Sequence, residues 1–323
     1  MNRTLKKVLK YTVVAACAAS AASVSAYVTT NAMIKMALDR RQPSMGRTSS
    51  RVSGSKKTNS AFSLARQEAA ERLEASDNEL VGIISHDGVP LVGHWIPQEQ
   101  PKRIIIAMHG WRSSWGYDFG LIRDFWERSG CSVLYADQRG QGESGGDYMG
   151  FGPIERYDCL DWVNWVTGRC GSDIPIYLWG VSMGSSTVLM ASDLNLPENV
   201  HGIVGDCGFT SPHAIWKHVA TNNLHMSFRI RGLLANTMYR RRTQLDAADF
   251  STTDALSETT IPVLLIHGSD DRFVPVEMTY ENYKACNSPK KLLIVPGAGH
   301  CMSYFLEKDL FEKTVKEFWS EHD

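Results

Sequence analysis

Gly180-Val181-Ser182-Met183-Gly184 lies between the apolar run IYLW and the helix-like run SSTVLMASDL. A sharp strand-to-helix turn crowds its central residue, so both flanking positions must lack bulk and the serine oxygen is pushed outward. The helix starting there aims free N–H groups and a positive dipole end at an anion forming beside the serine, as acyl transfer requires. Serine is a poor nucleophile until a base takes its proton, and histidine titrates in the useful range. His300, in the loop Gly297-Ala298-Gly299-His300 after an apolar run, is the candidate base. A carboxylate must then fix the imidazole tautomer and stabilise imidazolium. Asp270 and Asp271 follow the run VLLIHG, and Asp206 follows the apolar run before it, so three acids are candidates.

A scaffold has to bring these distant residues together. Strand-like apolar runs recur at 80–85, 91–96, 103–109, 132–136, 175–180, 200–205, 262–267 and 291–295. Helix-length segments separate many of them, at about 117–129, 154–168, 184–194, 276–286 and 303–321. Runs that are apolar throughout, such as IIIAM and VLLIHG, suit strands buried on both faces of a parallel sheet. The pattern predicts a three-layer α/β sandwich around an eight-stranded, mostly parallel sheet. Residues 211–256, with Trp216, Met226, Phe228, Leu233 and Tyr239, interrupt the rhythm after the sixth strand and read as a helical cap over the carboxyl edge of the sheet.

With these motifs in this order, residues 80–321 resemble the α/β-hydrolase superfamily. The resemblance rests on the 180–184 elbow, on His109-Gly110-Trp111 after the third strand, and on Asp137-Gln138-Arg139-Gly140-Gln141-Gly142-Glu143-Ser144, which is similar to a DxRGxGxS turn. The segment from His267 to Pro275 is similar to HGxxDxxVP, and the loop ending in His300 matches the one that presents the family's histidine. The resemblance implies a catalytic triad of Ser182, Asp271 and His300, in the chain order of that superfamily. It implies an oxyanion hole from the backbone N–H groups of Trp111 and Met183, shaped by His109, Gly110, Gly180 and Gly184. Spacing to Val274-Pro275 favours Asp271 over Asp270, while Asp206 sits where some family members carry their acid. His109 and His267 are expected as strand-end residues packed beside the site. The N-terminal segment and Cys301-Met302-Ser303-Tyr304 look most like small bacterial hydrolases near the S9/S33 serine peptidases.

Arg3, Lys6, Lys7 and Lys10 precede an uncharged stretch at 11–34, as in an export signal or a membrane anchor. Val24-Ser25-Ala26 has the small-residue spacing of a cleavage site, yet 11–34 is also long enough to span a bilayer if left uncut. Residues 1–36 are therefore expected to be a signal peptide or anchor, 37–60 a basic disordered tether, and 61–323 the hydrolase domain. That places the body outside the cytoplasm, anchored or secreted, with the membrane met through the N-terminal segment. A net charge of −1 over 323 residues gives no global field for nucleic acid. The sequence holds no HExxH, EF-hand loop, P-loop or GxGxxG after a strand, so no cofactor or metal is expected. Seven cysteines lack CxxC pairs, and a Cys131–Cys170 disulfide at one sheet edge is left open. The cap's His213, Lys217, His218, His225, Arg229, Arg231 and Arg240 to Arg242 read either as an attractor of carboxylates or anionic lipid, or as a solvated helix face. The expected function is hydrolysis of a small-molecule ester or related acyl bond through an acyl-enzyme on Ser182. A peptidase acting on short peptides is the second reading, and a non-catalytic ligand-binding member of the fold the third.

Overall fold

The computed structural model describes residues 3–41 and 60–323. Its single sheet runs β1 (Glu79–Ile84), β2 (Pro90–Ile96), β4 (Cys131–Ala136), β3 (Arg103–Met108), β5 (Ile176–Val181), β6 (Val200–Asp206), β7 (Val263–Gly268), β8 (Lys290–Val295) in spatial order. β2 pairs antiparallel with β1 and β4, and every other neighbouring pair is parallel. The eight strands expected from the apolar runs are present, each within one residue of its predicted bounds. β3, β4, β5 and β7 are buried along their whole length, which is why they read as unbroken apolar runs and not as alternating ones.

Alternation along β3 divides the core in two: Ile105 and Ala107 face one side, and Ile104, Ile106 and Met108 the other. Helices α1 (Arg3–Leu38) and α2 (Ser60–Glu74) precede the sheet. The first side is closed by α2 with α3 (Trp115–Phe119), α4 (Arg123–Arg128) and the last helix, α12 (Lys308–His322). Large aromatic rings fill it: Phe125 stacks on Trp319 at 5.3 Å, and Trp126 meets Trp179 edge-on at 5.1 Å. On the second side lie α5 (Glu155–Cys170) and α6 (Met183–Met190), with Trp162, Val163, Val188 and Leu189 in its core.

Between β6 and β7 the chain forms α7 (Pro212–His218), a π-helical turn at Val219–Asn223, α8 (Arg229–Thr243) and α9 (Thr252–Glu258). Ser211 caps α7 by accepting from the Ala214 N–H, and Pro212 at the first turn has no amide to satisfy there. Leu256 of α9 packs into the second sheet core, so α9 belongs with the sheet layer, as does α10 (Val276–Ala285) beside it. A short α11 (Ser303–Leu306) follows β8.

The N-terminal segment is one long helix. Ala26, Thr30, Ile34 and Leu38 repeat every four residues, are all buried, and lie on the stretch that packs against α8. The boundary expected at residue 36 therefore falls inside a helix that is packed on the body. Among the described residues no helix is long and apolar enough to cross a membrane: α1 has the length, but Ala, Ser and Thr supply too little apolar surface. Of the expected tether, residues 42–59 lie outside the described residues, while Arg40 donates through Nη2 to the Gly142 carbonyl at 2.8 Å. The Cys131–Cys170 disulfide is not formed: Cys131 packs in the first core and Cys170 against the second, with the sheet between them.

Leu38 is fully buried in the cluster joining α1 to the cap. Leu38→Ala is expected to cost about 2–4 kcal/mol, read as a lowered midpoint of urea unfolding for the full chain.

Candidate active site

β3 and β5 are neighbours, with Met108 opposite Gly180; from β3 the chain passes to β4 on one side, and from β5 to β6 on the other. The loops leaving their carboxyl ends thus meet at the switch point of the sheet, where α/β folds form crevices. Ser182, between β5 and α6, has φ 56° and ψ −115°. A Cβ on Gly184 would overlap the carbonyl oxygen of Met108, and one on Gly180 would overlap that of Gly184. Both expected glycines are therefore required by close backbone approach. At Gly110 a Cβ would press on Asp118 and on the Cβ of Ser182, at 3.1 and 3.3 Å.

β7 and β8 carry the other two residues to the same edge. His300 Nδ1 lies 2.6 Å from Asp271 Oδ2, and His300 Nε2 lies 2.9 Å from Ser182 Oγ. A carboxylate only accepts, so Nδ1 carries the hydrogen, and Nε2 of the neutral ring is left to accept from the serine hydroxyl. The second Asp271 oxygen accepts from the N–H groups of Phe273 and Val274 at 2.9 and 3.0 Å. His267 Nε2 approaches both Asp271 Oδ2 and the Val274 carbonyl, at 3.1 and 3.0 Å, so it donates, while Nδ1 accepts from Thr279 Oγ1 at 2.6 Å. Burial works against the charge on Asp271, yet His300 and His267 hold its carboxyl well below the usual range. Burial alone would lower His300, but the Asp271 carboxylate outweighs it and raises the imidazole well above the ordinary value of 6.5.

The other two acids stand differently. Asp270 is exposed and accepts from Ser269 Oγ at 2.8 Å. Asp206 is buried, its Oδ1 has no hydrogen-bond partner among the described residues, and burial pushes its carboxyl well above the usual range. Its backbone carbonyl accepts from the Ser182 N–H at 2.8 Å. His300 Nδ1 meets Asp271 and not Asp206, and burial disfavours the charge that a partner of the imidazole needs at Asp206.

Met183 opens α6, so its amide has no acceptor inside the helix. The loop carrying Trp111 is pinned on either side of it. Gly110 N–H donates to Asp118 Oδ2 at 2.6 Å, and Arg112 N–H donates to Gln141 Oε1 at 2.5 Å. Asp118 also accepts from Ser113 Oγ at 2.6 Å and pairs with Arg66 of α2. No motif marks Asp118, Arg66 or Thr279, and each was legible only once packing placed it here. His109 is fully buried; Nε2 accepts from the Gln138 N–H at 3.2 Å, which leaves Nδ1 to donate to the Gly110 carbonyl at 2.9 Å. It braces the turn and does not face Ser182.

The C-terminus of α1 completes the wall. Trp111 Nε1 donates to the Ala37 carbonyl at 2.8 Å, and the Arg112 guanidinium donates to the carbonyls of Met36 and Asp39 at 2.7 and 2.6 Å. These carbonyls have no helical partner of their own, and the side chains of the 109–112 loop cap them. Ser182 faces a cavity of about 790 Å³, open mouth included, lined by Ile34 and Ala37 of α1, by Trp111, Phe151 and Phe273 of the loops, and by Trp216 of the cap among others. Arg231 is the one cap cation in that lining; Arg242 instead pairs with Asp39 at 2.8 Å.

A sheet with this switch point and an elbow of this geometry define an α/β-hydrolase architecture. Residues 104–312 match the alpha/beta hydrolase family, and the chain belongs to it. It is 27% identical to the uncharacterized protein YqkD of Bacillus subtilis (strain 168) over 253 residues, 77% of this chain and 81% of that one. The esterase Pf2001 of Pyrococcus furiosus shares the fold with a TM-score of 0.64 at 21% identity, over 78% of this chain and 93% of that one. Est1E of Butyrivibrio proteoclasticus, solved with ferulic acid bound, shares it with a TM-score of 0.57 at 22% identity, over 75% and 98%.

Asp271→Asn is expected to lower turnover of a p-nitrophenyl ester by about 10⁴-fold, because Asn favours the wrong imidazole tautomer. Asp206→Asn should stay within about tenfold of the wild type, since the His300 imidazole is held by Asp271 and Asp206 Oδ1 has no hydrogen-bond partner among the described residues to lose. The reverse ranking in folded variants would reassign the acid.

Proposed function

We propose that the protein hydrolyses esters of apolar acyl groups through an acyl-enzyme on Ser182. The observation that carries this reading is the seat of the serine: Ser182 Oγ is 2.9 Å from the His300 imidazole and opens into a cavity whose lining is almost wholly apolar. In the forward half-reaction Ser182 Oγ attacks the ester carbonyl carbon while His300 Nε2 takes the hydroxyl proton. Asp271, ionised and anchored by two backbone N–H groups, stabilises the imidazolium without taking the proton itself. The N–H groups of Met183 and Trp111 are the donors for the oxyanion. Collapse expels the alcohol, which receives the proton from His300, and leaves the acyl group on Ser182. Water then attacks the acyl carbon with His300 as base, releasing the acid and restoring the serine. The likeness to a protein named as an esterase supports the ester bond. The apolar lining suits the acyl chain better than the charged amine end of a short peptide.

Three measurements test this. A fluorophosphonate probe should label the wild type and not Ser182→Ala; equal labelling would sink the nucleophile. With p-nitrophenyl esters, kcat/KM should rise from acetate toward octanoate, and aminoacyl-nitroanilides should be slower by at least about 100-fold; the opposite order would favour a peptidase. A proton on His300 blocks its role as base, so activity should fall as pH drops through the raised imidazole pKa. The acid limb of kcat/KM should thus lie above the ordinary histidine value of 6.5 and shift down in Asp271→Asn.

A further inference from the structure

Two cysteines that the acyl-transfer chemistry does not use stand beside its base. Cys207 directly follows β6, Cys301 directly follows His300, and their sulfurs are 3.5 Å apart. The two thiols and a ring nitrogen of His300 all lie within 4.8 Å of one another. Cys207 is buried, and Cys301 is partly open, as a ligand reached from solvent must be. Both residues hold positive φ, 48° and 60°, a conformation that costs energy for a side-chain-bearing residue.

Distances discriminate between the chemistries open to such a pair. A disulfide holds its sulfurs about 2.05 Å apart, so the pair is in the reduced, unbonded state here and both thiols are free to bind. Tetrahedral zinc, with Zn–S bonds of about 2.3 Å, holds two thiolates roughly 3.8 Å apart, close to what is seen. Two thiolates and an imidazole form a Cys₂His set, which suits zinc and not the hard ions magnesium or calcium.

We propose that Cys207, Cys301 and His300 form an inhibitory site for zinc or a similar thiophilic divalent cation. On binding, each thiol gives its proton to solvent, and two metal–sulfur bonds and one bond to an unprotonated His300 nitrogen replace three metal–water bonds, with no change of oxidation state. His300 has two nitrogens and both are committed, Nδ1 to Asp271 and Nε2 to Ser182. A metal therefore takes one of them out of the line, and the serine loses either its base or the base's orientation. The fourth position falls to water, since the cluster of mutually close ligand atoms holds these three residues. The inhibitory part of the proposal rests on the reading of His300 as the base; the binding part does not.

The test uses the full chain with two probes, zinc chloride and cobalt chloride. Cobalt should give a thiolate-to-metal charge-transfer band that zinc abolishes. Zinc should inhibit p-nitrophenyl butyrate hydrolysis, with recovery on adding EDTA, whereas magnesium and calcium leave the rate alone. In Cys207→Ser and in Cys301→Ser, each compared with its own metal-free rate, the inhibitory zinc concentration should rise at least tenfold and the cobalt band should weaken. Absence of the band in the wild type would overturn the site, whatever the protein's activity. Unchanged zinc sensitivity in both variants would overturn it as well. A band without inhibition in an active enzyme would overturn its inhibitory role. Failure of all ester hydrolysis with a normal cobalt band would count against the ester reading alone.

Discussion

Backbone crowding at the switch point of the sheet is the constraint on which the site depends. Gly180 and Gly184 let α6 start hard against β3 and β5, closer than any Cβ would permit. That approach forces Ser182 to φ 56° and brings its hydroxyl to the open edge of the sheet. Such a conformation costs on the order of 1–3 kcal/mol and persists only where the surroundings over-determine it. Here the surroundings are fully buried strands clamped between two aromatic and aliphatic cores. Arg112, Phe151, Cys207 and Cys301 also hold positive φ, and all four lie in loops at this same edge. Strain is thus concentrated where the geometry of the site demands it.

The 109–112 loop links that edge to the N-terminus of the chain. Asp118, paired with Arg66, takes the Gly110 amide, and Gln141 takes the Arg112 amide. This leaves the Trp111 backbone between two fixed points. The same loop spends the Trp111 indole and the Arg112 guanidinium on the last carbonyls of α1. The N-terminal helix is therefore part of the site's wall, and Ile34 and Ala37 line the cavity from it. Cleavage after Ala26 would leave this half of α1 attached to the domain.

A second coupling runs along the opposite wall. His267, read from sequence as a strand-end residue, donates to Asp271 and is itself held by Thr279 of α10. Asp271 is thus oriented by two backbone amides and two imidazoles. This set keeps the carboxylate ionised despite its burial.

The strands and the elbow were legible because their signals are local. A strand buried on both faces has to be apolar at every position, and a turn with no room for Cβ has to carry glycine. Ser182 and Asp271 could be singled out because each follows such a strand at the sheet's carboxyl edge, and His300 because its glycine-rich loop follows β8 at that edge. Which of Asp206, Asp270 and Asp271 meets His300 was open until the loops were placed, because three carboxylates within reach in sequence differ only in burial and direction. The same holds for α1. Its uncharged, small-residue composition reads as a segment apart from the domain, and only packing against α8 and capping by Trp111 and Arg112 make it a wall of the cavity. Asp118 and Arg66 carry no pattern at all, and nothing in the sequence pairs Cys301 with Cys207. Local backbone sterics write themselves into adjacent residues, whereas hydrogen bonds and thiol contacts between residues tens to hundreds of positions apart exist only once the chain has closed.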